Sequence, residues 1–243
     1  MKFTQIAALC ALASTAAFTQ AAVWQDFSLT GLYGENYAHP VGMVDDLEQS
    51  TITAEYAAGL KYGDIFAFAD RTNNDFGNET YFEVAPRLSL GAVTGQKLEL
   101  GPIKDVLIAT TWEGNSGASD FNNYLYGIGF ALDIPYTSYA NINFYKADND
   151  LQKDDYQMTI TYAVPFKIGG EEFLADAFLD WSTAEGPDHK SELNWTSQYK
   201  WNVGKHISPE TKLYLGIEHS IWNNKFGTDV DQHDVSALVK YHF

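Results

Sequence analysis

Gln232-His-Asp-Val-Ser-Ala-Leu-Val-Lys-Tyr-His-Phe243 ends the chain. Read as an extended strand, it puts Val235, Ala237, Val239, Tyr241 and Phe243 on one face. Asp234, Ser236, Lys240 and His242 fall on the other, because successive strand side chains point to opposite sides. One apolar wall and one wet wall is what a barrel strand in lipid needs, and an aromatic last residue is the usual finish of an outer-membrane barrel. Any half-buried strand alternates, so the fold rests on whether the rest of the chain repeats the pattern.

It does. Period-two segments bounded by turn residues recur about twelve times, each near the roughly ten residues a tilted membrane strand requires. Asp26 to Glu35 pairs with Thr51 to Tyr62 across a polar loop holding His39-Pro40. The second of these sets Ile52, Ala54, Tyr56, Ala58, Leu60 and Tyr62 against Thr51, Thr53, Glu55, Gly59 and Lys61. Gly63-Asp64 reads as a tight turn into Ile65 to Arg71. After a loop from Thr72 to Asn78, Thr80 to Leu90 places Phe82, Val84 and Leu88 opposite Tyr81, Glu83 and Arg87. The remaining hairpins are Asp105 to Trp112 with Asn122 to Ile134, Tyr139 to Lys146 with Tyr156 to Phe166, Phe173 to Ser182 with Glu192 to Val203, and Lys212 to Trp222 with the terminal strand. Short connections are expected to alternate with long ones, one set facing the periplasm and the other the exterior.

The expected fold is all-β: an antiparallel transmembrane barrel of about twelve strands, closed as a monomeric pore, because lipid offers no partner for a free sheet edge. Rings near strand ends predict interfacial belts, with Tyr124, Trp181 and Trp222 toward the long loops and Tyr62, Tyr136, Tyr139 and Phe166 toward the short ones. Residues 1–21 read as a secretory signal, with Lys2, an apolar run from Ile6 to Phe18 and a small-residue site ending at Ala21, leaving 22–243 as the barrel domain. The expected location is therefore the outer membrane of a Gram-negative bacterium, in contact with lipid and lipopolysaccharide.

The one cysteine, Cys10, lies within that signal, so the exported chain has neither disulfides nor thiolate metal sites to draw on. The 32 acidic residues against 15 basic ones give a net charge of −17, which excludes a general nucleic-acid binder. Acidic clusters at Asp45-Asp46-Leu47-Glu48, Asp148-Asn149-Asp150 and Asp229-Val230-Asp231 read as solvated loops.

With the apolar faces turned to lipid, the inward wall carries Glu55, Lys61, Glu83, Arg87, Asp180, Lys200, Glu218 and Lys240, with Tyr81, Tyr145, Phe178 and Tyr214 in the same phase. Most such charges pair across a narrow interior and hold its shape. Combined with rings, they also suit a solute with a flat heterocycle and a sugar: stacking supplies on the order of 1–3 kcal/mol per base, and hydroxyls bond to ionised groups. The expected substrate-binding set is Glu55, Tyr81, Glu83, Arg87, Tyr145, Phe178, Asp180, Lys200, Glu218 and Lys240.

Gly63-Asp-Ile-Phe-Ala-Phe-Ala-Asp70, Tyr81-Phe-Glu-Val-Ala-Pro-Arg87, Leu100-Gly-Pro-Ile-Lys-Asp105, Tyr124-Leu-Tyr-Gly-Ile-Gly-Phe130 and Leu179-Asp-Trp181 keep an order and spacing that resembles the nucleoside-specific channels of the Tsx type and the related OmpK proteins. The resemblance implies a twelve-stranded barrel and passive uptake of nucleosides at weak lumen sites of aromatic pairs flanked by ionisable residues. It also implies exposed loops that serve bacteriophage as a receptor. Glu55, Glu83, Arg87 and Asp180 match polar positions of the family pattern. Lys104-Asp105 fits strict alternation poorly, and Gly101-Pro102 before it predicts an irregular strand entry. The aromatic end at Tyr241 and Phe243 is the expected handle for the barrel-assembly machinery.

Three other functions compete. A channel for acidic oligosaccharides calls for a strongly basic lumen, whereas here both signs are read on the wall. A receptor or adhesion barrel would have a plugged lumen. A phospholipase-type enzyme needs a serine and a histidine facing each other, and His219-Ser220, being neighbours on a strand, point apart. The other histidines show no metal-ligand spacing, so neither a catalytic residue, a metal nor a cofactor is expected.

Overall fold

The computed structural model describes residues 22–40, 44–117, 120–186 and 189–243; the expected signal lies outside them. Twelve strands run in order: β1 (Ala22–His39), β2 (Val44–Leu60), β3 (Gly63–Asn74), β4 (Gly77–Ser89), β5 (Ile103–Ser116), β6 (Phe121–Leu132), β7 (Tyr139–Asp148), β8 (Asp155–Ile168), β9 (Glu171–Ser182), β10 (Glu192–Asn202), β11 (Lys212–Asn223) and β12 (Gln232–His242). Each pairs antiparallel with its sequence neighbours, and β1 pairs with β12, so one chain closes the barrel by itself. Closure satisfies the backbone donors and acceptors that hydrocarbon would leave unpaired.

The terminal strand behaves as its sequence predicts. Val235, Ala237, Val239 and Tyr241 are exposed on the outer wall, while Asp234, Ser236, Leu238 and Lys240 are buried on the inner one. Contacts between strands that are not neighbours in the sheet identify the inside. The Arg87 guanidinium reaches Asn143 from β4 to β7, Lys240 pairs with Glu55 from β12 to β2, and the Tyr81 ring meets that of Phe121 from β4 to β6.

The expected alternation of short and long connections is not found. Connections at the end holding both termini are 61–62, 90–102, 133–138, 169–170 and 203–211. The longest of them, 90–102, stands where short turns were expected and begins with a one-turn helix, α1 (Leu90–Thr94), capped by Ser89. At the far end two of the polar segments read as loops are largely strand, whereas Asn149-Asp150 and Asp229-Val230-Asp231 lie in connections as read. β1 and β2 stay paired to His39 and Val44, so Asp45-Asp46-Leu47-Glu48 lies in a strand, and β3 and β4 stay paired to Asn74 and Gly77. Polar strands can continue past the membrane because laddering still satisfies their backbone groups in water. Likewise the tight turn at the start of β3 is Lys61-Tyr62 rather than Gly63-Asp64.

The irregular entry to β5 is present: a register shift falls between Ile103 and Asp105. It turns Asp105 inward, where its carboxylate accepts from the Ser89 hydroxyl and the Gly91 amide. The ring belts need two corrections. Trp222 lies opposite Asn194 and Gln232 on the inner wall and donates its indole N–H to Glu192. Tyr139 lies opposite Ala163, which faces the inward Asp176. Both rings read as belt residues from their height alone, yet strand parity sends them inward.

Candidate lumen site

Strand register puts all ten expected site residues on the inner wall. Ser28, Glu55, Phe68, Glu83 and Glu113 occupy successive directly opposed positions from β1 to β5. Gln157, Ser182 and Glu192 are opposed in the same way, as are Phe178 with Thr196 and Gln198 with Glu218. Lys61 is the exception among the inward charges read from sequence. It sits in the exposed 61–62 turn with its ammonium over the Tyr62 ring.

The inward residues form two tiers. Nearer the termini, three cations are each held by a carboxylate. Arg87 grips Asp64 with two parallel bonds of 2.8 Å and reaches Asn143 Oδ1 at 3.5 Å. Lys200 Nζ stands 2.7 Å from each oxygen of Asp176 and donates to Gln198 Oε1 at 2.9 Å. Lys240 pairs with Glu55, which also accepts from Ser28. Gly63 makes room here: a Cβ on it would meet the Arg87 carbonyl, so only glycine lets β3 pass close beside β4.

Nearer the far end the wall is aromatic and acidic. The Phe68 and Tyr81 rings lie 5.8 Å apart, and Tyr81 and Phe121 6.3 Å apart. The Tyr81 hydroxyl donates to Glu83 at 2.7 Å. Glu83 stands directly opposite Glu113 in the ladder, and Asp180 faces the lumen from β9, opposite Thr159 and Asn194. Asn123 donates to Glu113, and Thr159 and Gln157 to Asp180. Three rings with Glu83 and Glu113 among them, and Asp180 on the inner face of β9, offer a stacking surface and hydroxyl-binding oxygens on the lumen wall.

The structure separates the expected residues by role. Tyr81 and Glu83 come together in the far tier, Asp180 faces inward from β9, and Phe178 leaves its ring open to the lumen. Glu55, Arg87, Lys200 and Lys240 belong to the ion-paired tier. Glu218 accepts from Gln198 at 2.8 Å. Tyr145 faces inward but is covered, packed with Ala109, Leu125 and Ala147. Phe68, Asp70, Glu113 and Phe121 were not anticipated. Period two along Ile65 to Arg71 places Phe68 and Asp70 in phase once β3 is tied to β4, whereas Phe121 stood just outside the segment read as strand.

Ser220 and His219 face opposite sides, Ser220 inward against Thr196 and Asp234. The mixed-sign lumen needs revision. Asp70, Glu83, Glu113, Asp180 and Glu218 are in no ion pair among the described residues, so carboxylates outnumber the inward cations.

Residues 24–243 match the model of a family described as "Nucleoside-specific channel-forming protein, Tsx". An outer membrane protein OmpK of Vibrio parahaemolyticus is 28% identical over 69% of this chain, and the match spans 66% of that protein. A nucleoside-specific channel-forming protein Tsx of Klebsiella aerogenes is 23% identical over 92% of this chain and 85% of its own length. Among solved structures, a KdgM porin superposes with a TM-score of 0.50 at 10% identity, covering 89% of this chain and 99% of that one. At that identity the likeness concerns the fold alone.

Proposed function

Because the chain belongs to the Tsx family of nucleoside-specific channel-forming proteins and is an outer-membrane channel barrel, we propose that it carries nucleosides passively across the outer membrane. The observation that supports this reading is the far tier. Phe68, Tyr81 and Phe121 give a base a ring to lie on, and Glu83, Glu113 and Asp180 stand where ribose hydroxyls would donate. Carboxylates of this kind accept from hydroxyls with stronger bonds than a neutral acceptor makes. A passage needs its sites weak enough to release the solute, and a site open on one side meets that need.

In the ion-paired tier, Arg87, Lys200 and Lys240 have their charges met by protein carboxylates and serve to hold the wall. An acidic oligosaccharide would instead need free cations facing one another. The relatives are channel and porin proteins rather than enzymes.

In this reading residues 1–21 are the export signal, and Tyr241 and Phe243, whose rings meet edge to face at 4.9 Å, form the handle for barrel assembly. The outer rings meet lipid and lipopolysaccharide, and the far-end hairpins are the surface a phage would use. Single-channel current through the refolded protein in a planar bilayer tests the passage. Adenosine and thymidine should interrupt the current while glucose and sialic acid leave it unchanged. Equal indifference to all four would reduce the family likeness to a shared architecture.

A further inference from the structure

The lumen's charges do not balance. Arg87, Lys200 and Lys240 are each ion-paired to a carboxylate, Asp64, Asp176 and Glu55. Among the described residues, Asp70, Glu83, Glu113, Asp180 and Glu218 take side-chain hydrogen bonds from neutral donors alone: Thr53, Tyr81, Asn123, Thr159 with Gln157, and Gln198. Lys225, at the far mouth, is tied to the Ala38 carbonyl and the Gln232 amide, away from these five. Uncompensated charge of one sign inside low-dielectric walls concentrates counter-ions and repels co-ions. Rings beside it add to the effect, since the face of an aromatic side chain attracts a cation.

We propose that the lumen is a cation filter: it passes small cations ahead of anions, and among heterocyclic solutes favours those with a positively charged ring over their neutral counterparts. This rests on the lumen being an open passage, as proposed above, and not on nucleosides being its cargo. The chemistry is ordinary. A cationic ring stacked on Phe68 or Tyr81 gains from both the ring face and the carboxylates around it, while a neutral ring gains only from the stack.

The test is the reversal potential of the full-length mature barrel in a potassium chloride gradient, at about 0.1 M salt so that screening over about 10 Å leaves the wall charges in reach of the solute. Potassium should permeate about tenfold better than chloride, the lower end of what a one-sign cleft achieves. The variant with Glu83→Gln, Glu113→Gln and Asp180→Asn should bring the ratio toward unity. 1-Methyladenosine, which carries a positive ring, should block at lower concentration than adenosine. A wild-type pore that passes both ions equally or prefers chloride overturns the filter, whatever the triple variant does. Adenosine blocking as well as its methylated form overturns the ring preference. A barrel that carries no current defeats the filter and the passage together, whereas cation preference without nucleoside block defeats only the nucleoside reading.

Discussion

Lys200 is the most deeply buried cation of the wall, its side chain 1% exposed, and its replacement by methionine is the sharpest test of how the lumen is held. At 2.7 Å from Asp176 the attraction between unit charges is about 6 kcal/mol for an effective dielectric constant of about 20. Desolvation of the lysine offsets much of that. Removing one partner of a fully buried pair costs about 3–5 kcal/mol, because the other charge is left stranded. Here Asp176 keeps 22% exposure on the lumen side, so water can reach it, and we expect a loss of about 2 kcal/mol for Lys200→Met. The assay is urea unfolding of the barrel in lipid vesicles, run as a cycle with Asp176→Asn and the double variant. The double variant should recover at least half of the loss, because it removes the stranded charge along with its partner. A single variant as stable as the parent, or a double variant no better than the single, would refute the assignment of this pair as a brace.

Tyr81→Leu or Phe121→Leu should raise the adenosine concentration needed for half-block about tenfold, since stacking on a ring is worth on the order of 1–3 kcal/mol per base; channel titration reads it. Arg87→Lys keeps the charge but loses the two-pronged grip on Asp64, and thermal unfolding should report a loss of about 1–2 kcal/mol. Burial among Trp222, Phe226 and Gln232 in the 224–231 connection lowers the Lys225 ammonium from 10.5 to about 8. Between those two values the unfolded chain holds the proton more tightly, so this group's contribution to stability rises as pH climbs through the window and is least favourable below about 8. Trp222 lies 4.9 Å from the Lys225 nitrogen, so its fluorescence should titrate with a midpoint near 8, and the titration should vanish in Lys225→Met.

Parity was enough to sort the wall. Of the twelve residues read as inward, all but Lys61 are inward, because a strand's alternation is local; Lys61 fails because the turn begins one residue before the strand was read to end. Height was less legible. Trp222 and Tyr139 stood at belt level and were read as belt rings, but their parity, read through β11 and β7, sends them inside. The polar stretch at Asp45-Asp46-Leu47-Glu48 read as loop because it lacks the apolar face of a membrane strand, and it is strand because its partner β1 is still there to pair with it.

Repetition of the period-two pattern along the chain, then, was enough by itself to determine a lipid-facing barrel with a polar inner wall, and the side faced by most mid-strand residues. Covalent alternation settles them within the body of a strand, where no turn or strand end intervenes. Only the tertiary structure decided which inward groups meet. Lys240 finds Glu55 across β1, Arg87 reaches Asn143 across two strands, and Phe121 meets Tyr81 across β5. These partners lie far apart in the chain, and their meeting depends on the register at every seam and on closure between β1 and β12, which no single strand encodes.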